Sequence, residues 1–145
     1  MNLADLPDRI VLALTIWGES RSEPVEGQIA VACVVRNRLK KAGQPVKHWK
    51  DICLAPLQFS CFNPDDPNFE KVQKAADMAM TALPTPELLQ AMWIADGVIA
   101  GKVIDNTLGS THYLTSALFA SKPPAWAMGQ TPTVTIGHQV FLDVA

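Results

Sequence analysis

Apolar residues in the first third of the chain recur at intervals of three and four, which predicts two helices joined by a polar turn. The first helix is predicted over about residues 7–18. The second begins at Pro24, whose fixed φ suits the first turn of a helix, and ends near Leu39. The apolar stripe of the first helix consists of Ile10, Ala13, Leu14 and Trp17.

The middle of the chain returns to a helical pattern after an irregular stretch. Residues 49–54 are predicted to form a short helical turn, and residues 55–67, which contain three prolines, are predicted to form a loop. Apolar residues then recur at helical spacing over residues 68–82. Thr85 is a suitable N-cap for a further helix, which is predicted to end near Gly101.

Short β-prone segments replace the helical pattern after residue 101. Strands are predicted over residues 111–115, 133–136 and 139–142. Gly137-His138 suits a type II′ hairpin turn, in a register that places Val134 opposite Phe141. The sequence therefore predicts an α+β, mainly α-helical fold with a small antiparallel β region near the C-terminus. We expect residues 1–145 to form a single domain, because no repeat, low-complexity tract or linker divides them.

Glu19 is an isolated carboxylate between the two apolar helical segments. It falls at the C-terminal end of the first helix, where the unpaired carbonyl groups disfavour a second negative charge and favour a protonated carboxyl group. A carboxyl group that is protonated near neutral pH can act as a general acid. The alternative interpretation is that Glu19 is a solvated residue at a helix end with no catalytic role.

The run GESRSEPVEGQIAVACVVRNR, which contains Glu19, resembles the opening motif of the SleB-like cell-wall hydrolases, the spore-cortex lytic enzymes and their phage and prophage relatives. Ser20 and Ser22 stand where that family usually has Ala and Gly. Further blocks resemble the family in the same order along the chain: Gln58-Phe59-Ser60-Cys61, Thr111-His112-Tyr113, Pro124-x-Trp126 and Ile136-Gly137-His138.

The resemblance implies a lysozyme-like domain that degrades peptidoglycan, with Glu19 as the proton donor and the glycan strands as its partner. Polar and aromatic side chains of the later blocks would then bind the glycan in one cleft, namely Gln58, Phe59, Ser60, His112, Tyr113 and Trp126. Because side chains alternate along a strand, we expect His112 to face away from the cleft if Tyr113 faces it. Ordinary loop and core packing is the alternative interpretation of these residues.

The number of available carboxylates bears on the mechanism. Hydrolytic glycosidases generally use two, and the motif blocks supply none beyond Glu23 and Glu26 besides Glu19 itself. Both are better explained as first-turn residues of the second helix. This favours a lytic transglycosylase, which cleaves the MurNAc-GlcNAc bond with Glu19 as acid and then base, over a muramidase.

Two other functions remain open at the level of the sequence. A peptidase or amidase that cuts the peptide stems could use Cys61 as nucleophile and His112 as base, since the residue types and their order fit such enzymes. A noncatalytic wall-binding or virion structural module is the other alternative.

The composition narrows the partners of the chain. A net charge of −2 gives no electrostatic argument for a nucleic-acid partner. No apolar run reaches the ~20 residues that span a bilayer, so no stable membrane insertion is expected. The three cysteines are expected to be free thiols. No HExxH or CxxC pattern suggests a metal site, and the transglycosylase chemistry needs no cofactor.

The N-terminal segment does not resemble a secretory signal. Asp5 and Asp8 precede its apolar run, and no small-residue cleavage site follows it. We therefore expect a protein that is made in the cytoplasm and reaches the cell wall through a lysis pore or by virion delivery. We also expect it to be a monomer.

Overall fold

The computed structural model describes residues 2–43, 48–55, 58–81 and 83–144. These residues form six α-helices, a three-stranded sheet and three 3₁₀ turns. The helices are α1 (Asp8–Ser20), α2 (Val25–Ala42), α3 (Trp49–Cys53), α4 (Phe69–Thr81), α5 (Pro86–Ile99) and α6 (Ser116–Ser121). The strands are β1 (His112–Thr115), β2 (Val134–Ile136) and β3 (Gln139–Leu142), and the 3₁₀ turns are Leu3–Asp5, Ser60–Phe62 and Ala125–Ala127. The predicted α+β class, with its β region near the C-terminus, is confirmed.

Helix α1 is the centre of the helical body. Nine of its 13 residues are buried, because its sequence is apolar on almost every side. It contacts α2, α3, α4 and α5, and the largest of these contacts is with α5. The predicted first helix is thus confirmed, and it continues two residues beyond the predicted end, so that Glu19 lies inside its last turn.

Gly18 allows the last turn of α1 to pack directly against the 3₁₀ turn Ser60–Phe62. A Cβ atom on residue 18 would lie 2.8 Å from Cys61 Sγ and 3.1 Å from Val72 Cγ2. Both neighbours are fully buried, and a densely packed interior leaves them little room to move aside. The missing side chain at residue 18 therefore determines how closely Ser60 approaches the end of α1.

The three strands form one antiparallel sheet in the order β1-β3-β2. Val134 pairs with Phe141, which confirms the predicted register. Gly137 has a φ of 58°, as the first position of a type II′ turn requires. Phe141 is fully buried against Ala30 and Val34 of α2, and this contact attaches the sheet to the helical body.

Glu23 connects the turn between β2 and β3 to the start of α2. Its Oε1 accepts a 2.8 Å hydrogen bond from the backbone N–H of His138, and its Oε2 lies 2.8 Å from His138 Nδ1. Glu26 lies in the first turn of α2 as predicted, but Glu23 precedes the helix. Glu23 therefore stabilises the attachment of the hairpin, and its carboxylate is occupied there.

Helix α6 is an element that the sequence pattern did not predict. It follows β1 without an intervening loop, and Thr115 Oγ1 caps it by accepting a 3.1 Å hydrogen bond from Leu118 N. With six residues it is too short to show a helical period in the sequence.

Two predicted segments extend into residues that the structure does not describe. Pro56 belongs to the predicted loop 55–67, and Ala82 was the predicted end of the third long helix. The described part of that helix is α4, which confirms its prediction. Within the described residues, no helix is both long and apolar enough to cross a membrane.

An alanine at residue 18 tests the packing at the end of α1. We expect Gly18→Ala to lower the free energy of unfolding by about 1–3 kcal/mol, because its methyl group overlaps the buried side chain of Cys61. Gly97→Ala is the matched control, because Gly97 also lies inside a helix. Its added Cβ would lie 3.1 Å from Val103 Cγ2, but the Val103 side chain is only half-buried and has room to move aside. Urea unfolding measures both variants. A Gly18→Ala protein as stable as the wild type would show that this contact is not tight.

Candidate active site

A cleft of about 600 Å³ lies between the helical body and β1. Its lining comes from segments that are far apart in the sequence: the C-terminal parts of α1 and α2, Gln58 and Ser60, β1 with α6, the 3₁₀ turn Ala125–Ala127, and β3. The predicted site residues that line it are Glu19, Gln58, Ser60, His112, Tyr113 and Trp126. The fold thus brings residues of the opening motif and of the first three later blocks together around one cavity.

Glu19 enters this cleft from the last turn of α1. Ser60 Oγ donates a 3.3 Å hydrogen bond to Glu19 Oε2. Burial is the main cause that raises the pKa of the Glu19 carboxyl group, and the negative charge of Asp66 acts in the same direction. Hydrogen bonding from Tyr113 and Ser60 favours the ionised form and opposes the shift. The carboxyl group is therefore biased toward protonation, with burial as the leading reason.

Tyr113 lies beside Glu19 and is held between two aromatic rings. Its ring centroid is 6.5 Å from that of Phe59 and 5.8 Å from that of Phe141. Burial, followed by the negative charge of Glu19, raises the pKa of the Tyr113 hydroxyl well above its usual value. This hydroxyl therefore stays protonated and can donate a hydrogen bond when Glu19 is ionised.

The predicted contact between Phe59 and the glycan is wrong, because the Phe59 ring does not face the cleft. It is 1% exposed and belongs to the main hydrophobic core. The backbone at Phe59 is extended, with φ −126° and ψ 117°, so its side chain points away from those of Gln58 and Ser60. Phe59 supports the cleft from behind, where its ring contacts Tyr113 and lies beneath the guanidinium group of Arg38.

Arg38 lines the cleft, although the sequence pattern did not predict a role for it. Its carbon Cζ lies 4.9 Å from the ring centroid of Phe59, a cation–π distance. Its Nε donates a 2.6 Å hydrogen bond to Thr111 O, and its Nη1 donates one of 3.3 Å to Gln58 Oε1. A sequence signal was available, since Arg38 is the last residue of the opening run that resembles the family. Arg38 joins α2, residue 58 and the start of β1 at the edge of the cleft.

His112 and Trp126 form another part of the cleft wall, with ring centroids 4.8 Å apart. Burial lowers the pKa of His112, and the positive charges of Arg38 and Lys41 act in the same direction, so the imidazole is neutral near pH 7. The expectation that His112 faces away from the cleft while Tyr113 faces it is wrong. β1 is an edge strand, and the cleft extends around both of its faces.

The position of Cys61 does not support a peptidase. Its side chain is fully buried beneath the end of α1, and it is not among the residues that line the cleft with His112. Burial, followed by the charge of Glu19, raises the pKa of the Cys61 thiol far above its usual range. Because the thiolate is the nucleophilic form, burial and a raised pKa make this thiol a poor nucleophile. All three cysteines are buried free thiols, as predicted.

Glu19 is the one carboxylate among the described residues that line the cleft. Asp66 influences the pKa of Glu19, but its Oδ1 accepts a 2.8 Å hydrogen bond from Asn68 N within its own turn. Glu23 is bound to the turn at His138. Over residues 2–43, 48–55, 58–81 and 83–144, no group of three His, Cys, Asp or Glu side chains is placed to hold a metal ion.

The fold is similar to that of two solved bacterial domains. One is the crystal structure of the catalytic domain of the Bacillus cereus SleB protein, with 23% identity and a TM-score of 0.62 over 94% of this chain and 89% of that chain. The other is the catalytic domain of the germination-specific lytic transglycosylase SleB from Bacillus anthracis, with 24% identity and a TM-score of 0.62 over 99% of both chains. At these identities the likeness concerns the fold.

The sequence itself matches a family model. No curated protein matches the chain significantly. The model of the family described as Cell Wall Hydrolase matches residues 22–142, a range that begins just after Glu19. This match covers most of the chain and includes the second helix and all four later motif blocks. The chain therefore belongs to the Cell Wall Hydrolase family.

Proposed function

We propose that this protein is a lytic transglycosylase that cleaves the MurNAc-GlcNAc bond of peptidoglycan. The observation that carries the proposal is a half-buried Glu19 with a raised pKa, in a cleft whose described lining contains no second carboxylate. Hydrolytic glycosidases generally use a second carboxylate as nucleophile or as a base for water. Lytic transglycosylation needs one group that acts first as acid and then as base.

The comparisons support this choice of substrate and reaction class. Membership of the Cell Wall Hydrolase family makes the chain a peptidoglycan-cleaving domain. The Bacillus anthracis domain that shares its fold is described as a lytic transglycosylase. The choice between transglycosylase and muramidase rests on the arrangement around Glu19.

In the first step, Glu19 transfers its proton to the glycosidic oxygen while the bond between this oxygen and C1 of MurNAc breaks. The GlcNAc residue leaves with a free 4-hydroxyl group, and positive charge develops at C1. Glu19 becomes a carboxylate at this point. The hydroxyl groups of Ser60 and Tyr113 stabilise it, since hydrogen bonds from both favour the ionised form.

In the second step, the Glu19 carboxylate takes the proton of the MurNAc 6-hydroxyl group, and the oxygen of that group forms a bond to C1. The product carries a 1,6-anhydromuramyl end. Glu19 regains the proton that it gave in the first step, so the cycle consumes no water. Burial of Glu19 favours this return to the protonated form.

The remaining cleft residues suit the recognition of a glycan. Trp126 is 37% exposed and offers aromatic surface, while Gln58 and His112 offer groups that exchange hydrogen bonds with sugar hydroxyls. Arg38 holds Gln58 and the start of β1 in place. Phe59 contributes indirectly through its contacts with Arg38 and Tyr113.

Replacement of Glu19 by glutamine preserves the shape of the side chain and removes the transferable proton. We expect Glu19→Gln to reduce the release of fragments from purified peptidoglycan by at least about 100-fold. Glu26→Gln should keep the wild-type rate, since Glu26 is exposed and lies outside the cleft lining. Mass spectrometry of wild-type products should find 1,6-anhydromuramyl ends. Reducing muramic ends would instead indicate a muramidase and contradict the proposal.

The stability of Glu19→Gln separates loss of chemistry from loss of fold. A raised pKa in the folded state means that ionisation of Glu19 opposes folding, so its contribution to stability falls as pH rises from the unfolded-state pKa through the folded-state pKa. Glutamine carries no such charge. We therefore expect this variant to be at least as stable as the wild type at pH values above the pKa of Glu19, as measured by urea unfolding.

Two substitutions should shift the pH dependence in opposite directions. Because kcat/KM requires protonated Glu19, it falls as pH rises through the pKa of this group. Ser60→Ala removes a hydrogen bond that lowers this pKa, so the alkaline limb should move to higher pH. Asp66→Asn removes a charge that raises the pKa, so the limb should move to lower pH. An asparagine oxygen at residue 66 can still accept the hydrogen bond from Asn68 N.

Measurement of kcat/KM from about pH 4 to pH 9 gives the position of the alkaline limb for each variant. This ratio reports the pKa values of the free enzyme. Shifts of the two variants in the same direction would show that Glu19 is not the group that controls the alkaline limb.

A further inference from the structure

A second groove, of about 370 Å³, lies between α1, α4 and α5, separate from the catalytic cleft. The residues that line this groove from the end of α1 are four positions apart, and those that line it from α4 are three to seven positions apart. Each set therefore lies on one face of its helix. We call this surface the basic groove and define it by Trp17, Arg21, Lys71, Lys74, Met78 and Leu88. Its floor is apolar and its rim carries three cationic side chains.

The positive charge of the basic groove is not neutralised by nearby carboxylates. Among the described residues, no acidic side chain lines the groove, and no carboxylate lies within 4.0 Å of Arg21, Lys71 or Lys74. Arg21 lies over Trp17 at 4.2 Å and donates a 2.8 Å hydrogen bond to the neutral amide oxygen of Asn68. In a chain with a net charge of −2, this surface is a local concentration of cations that suits an anionic ligand.

The basic groove and the catalytic cleft lie on two sides of the same helix end. Trp17 and Arg21 stand two positions before and after Glu19, which places them roughly 200° around α1 from it. The turn that separates the two sites contains Asp66 and Asn68: Asp66 raises the pKa of Glu19, and Asn68 accepts the hydrogen bond from Arg21. A ligand that passes around the end of α1 can reach both sites.

We propose that the basic groove binds the peptide stem of the muramyl residue whose glycosidic bond Glu19 cleaves. This inference rests on the proposed function. The stem is a short peptide that carries free carboxylates, which the cations attract, and alanine methyl groups, which suit the apolar floor of Trp17, Met78 and Leu88. A 200° arc around a helix about 10 Å in diameter is about 17 Å long. Five extended residues span about 17–18 Å, so a five-residue stem is long enough to follow this arc.

Binding by soluble glycan fragments of equal length, with and without their peptide stems, tests this assignment. The protein carries Glu19→Gln, so that it does not consume the fragments, and calorimetry measures the dissociation constants. We expect stem-bearing fragments to bind about 5- to 10-fold more tightly than stripped ones. Lys71→Gln/Lys74→Gln should abolish this preference. Lys40→Gln/Lys102→Gln, which removes the same charge from exposed lysines outside both sites, should retain it.

Two outcomes would overturn the inference. The two kinds of fragment could bind equally well to the protein that carries both lysines, or the Lys71→Gln/Lys74→Gln protein could retain the preference for stem-bearing fragments. A retained preference with weaker binding of both fragments would assign the lysines to the sugar chain or to general attraction. Failure of the proposed function would be seen separately, as wild-type products without 1,6-anhydromuramyl ends, because the binding comparison does not depend on which bond is cleaved.

Discussion

The close contact between the end of α1 and the 3₁₀ turn Ser60–Phe62 is the constraint on which the candidate site depends. Because Gly18 has no side chain, Cys61 packs directly against the helix and brings the neighbouring Ser60 within hydrogen-bonding distance of Glu19. The same approach excludes water from one side of the carboxyl group, and burial is what raises its pKa most. A bulkier residue 18 would therefore alter the chemistry of the site as well as its packing.

The candidate site balances opposing influences on a single acid. Burial and the charge of Asp66 favour protonated Glu19, while hydrogen bonds from Ser60 and Tyr113 favour its ionised form. A group that must give a proton and then take one back needs both forms to be accessible. Strong burial without the hydroxyl groups would make the carboxylate intermediate costly, and full solvation would leave Glu19 ionised before the reaction begins.

Periodicity and turn chemistry predicted much of the fold, because they are local properties. The helices around Glu19 and the pairing of Val134 with Phe141 follow from spacing and from a glycine turn. Facing relations between distant segments were harder to predict. The family resemblance implied that Phe59 contacts the glycan, and Arg38 was assigned no role. In the structure the Phe59 ring is buried in the core, and the guanidinium group of Arg38 lies over it. Whether a loop aromatic faces solvent or core depends on segments that sequence spacing does not bring together.

Helix α2 positions the β region, as α1 positions Glu19. At its C-terminal end, Asn37 and Arg38 donate hydrogen bonds of 2.9 Å and 2.6 Å to the carbonyl oxygens of Ser110 and Thr111, just before β1. Before its first turn, Glu23 accepts from the backbone of the hairpin turn between β2 and β3. The polar residues of the opening motif thus fix both ends of the sheet. The opening motif therefore supplies the attachment of the opposite cleft wall together with the acid. A proton donor is effective only when the substrate-binding wall is held at a fixed distance from it.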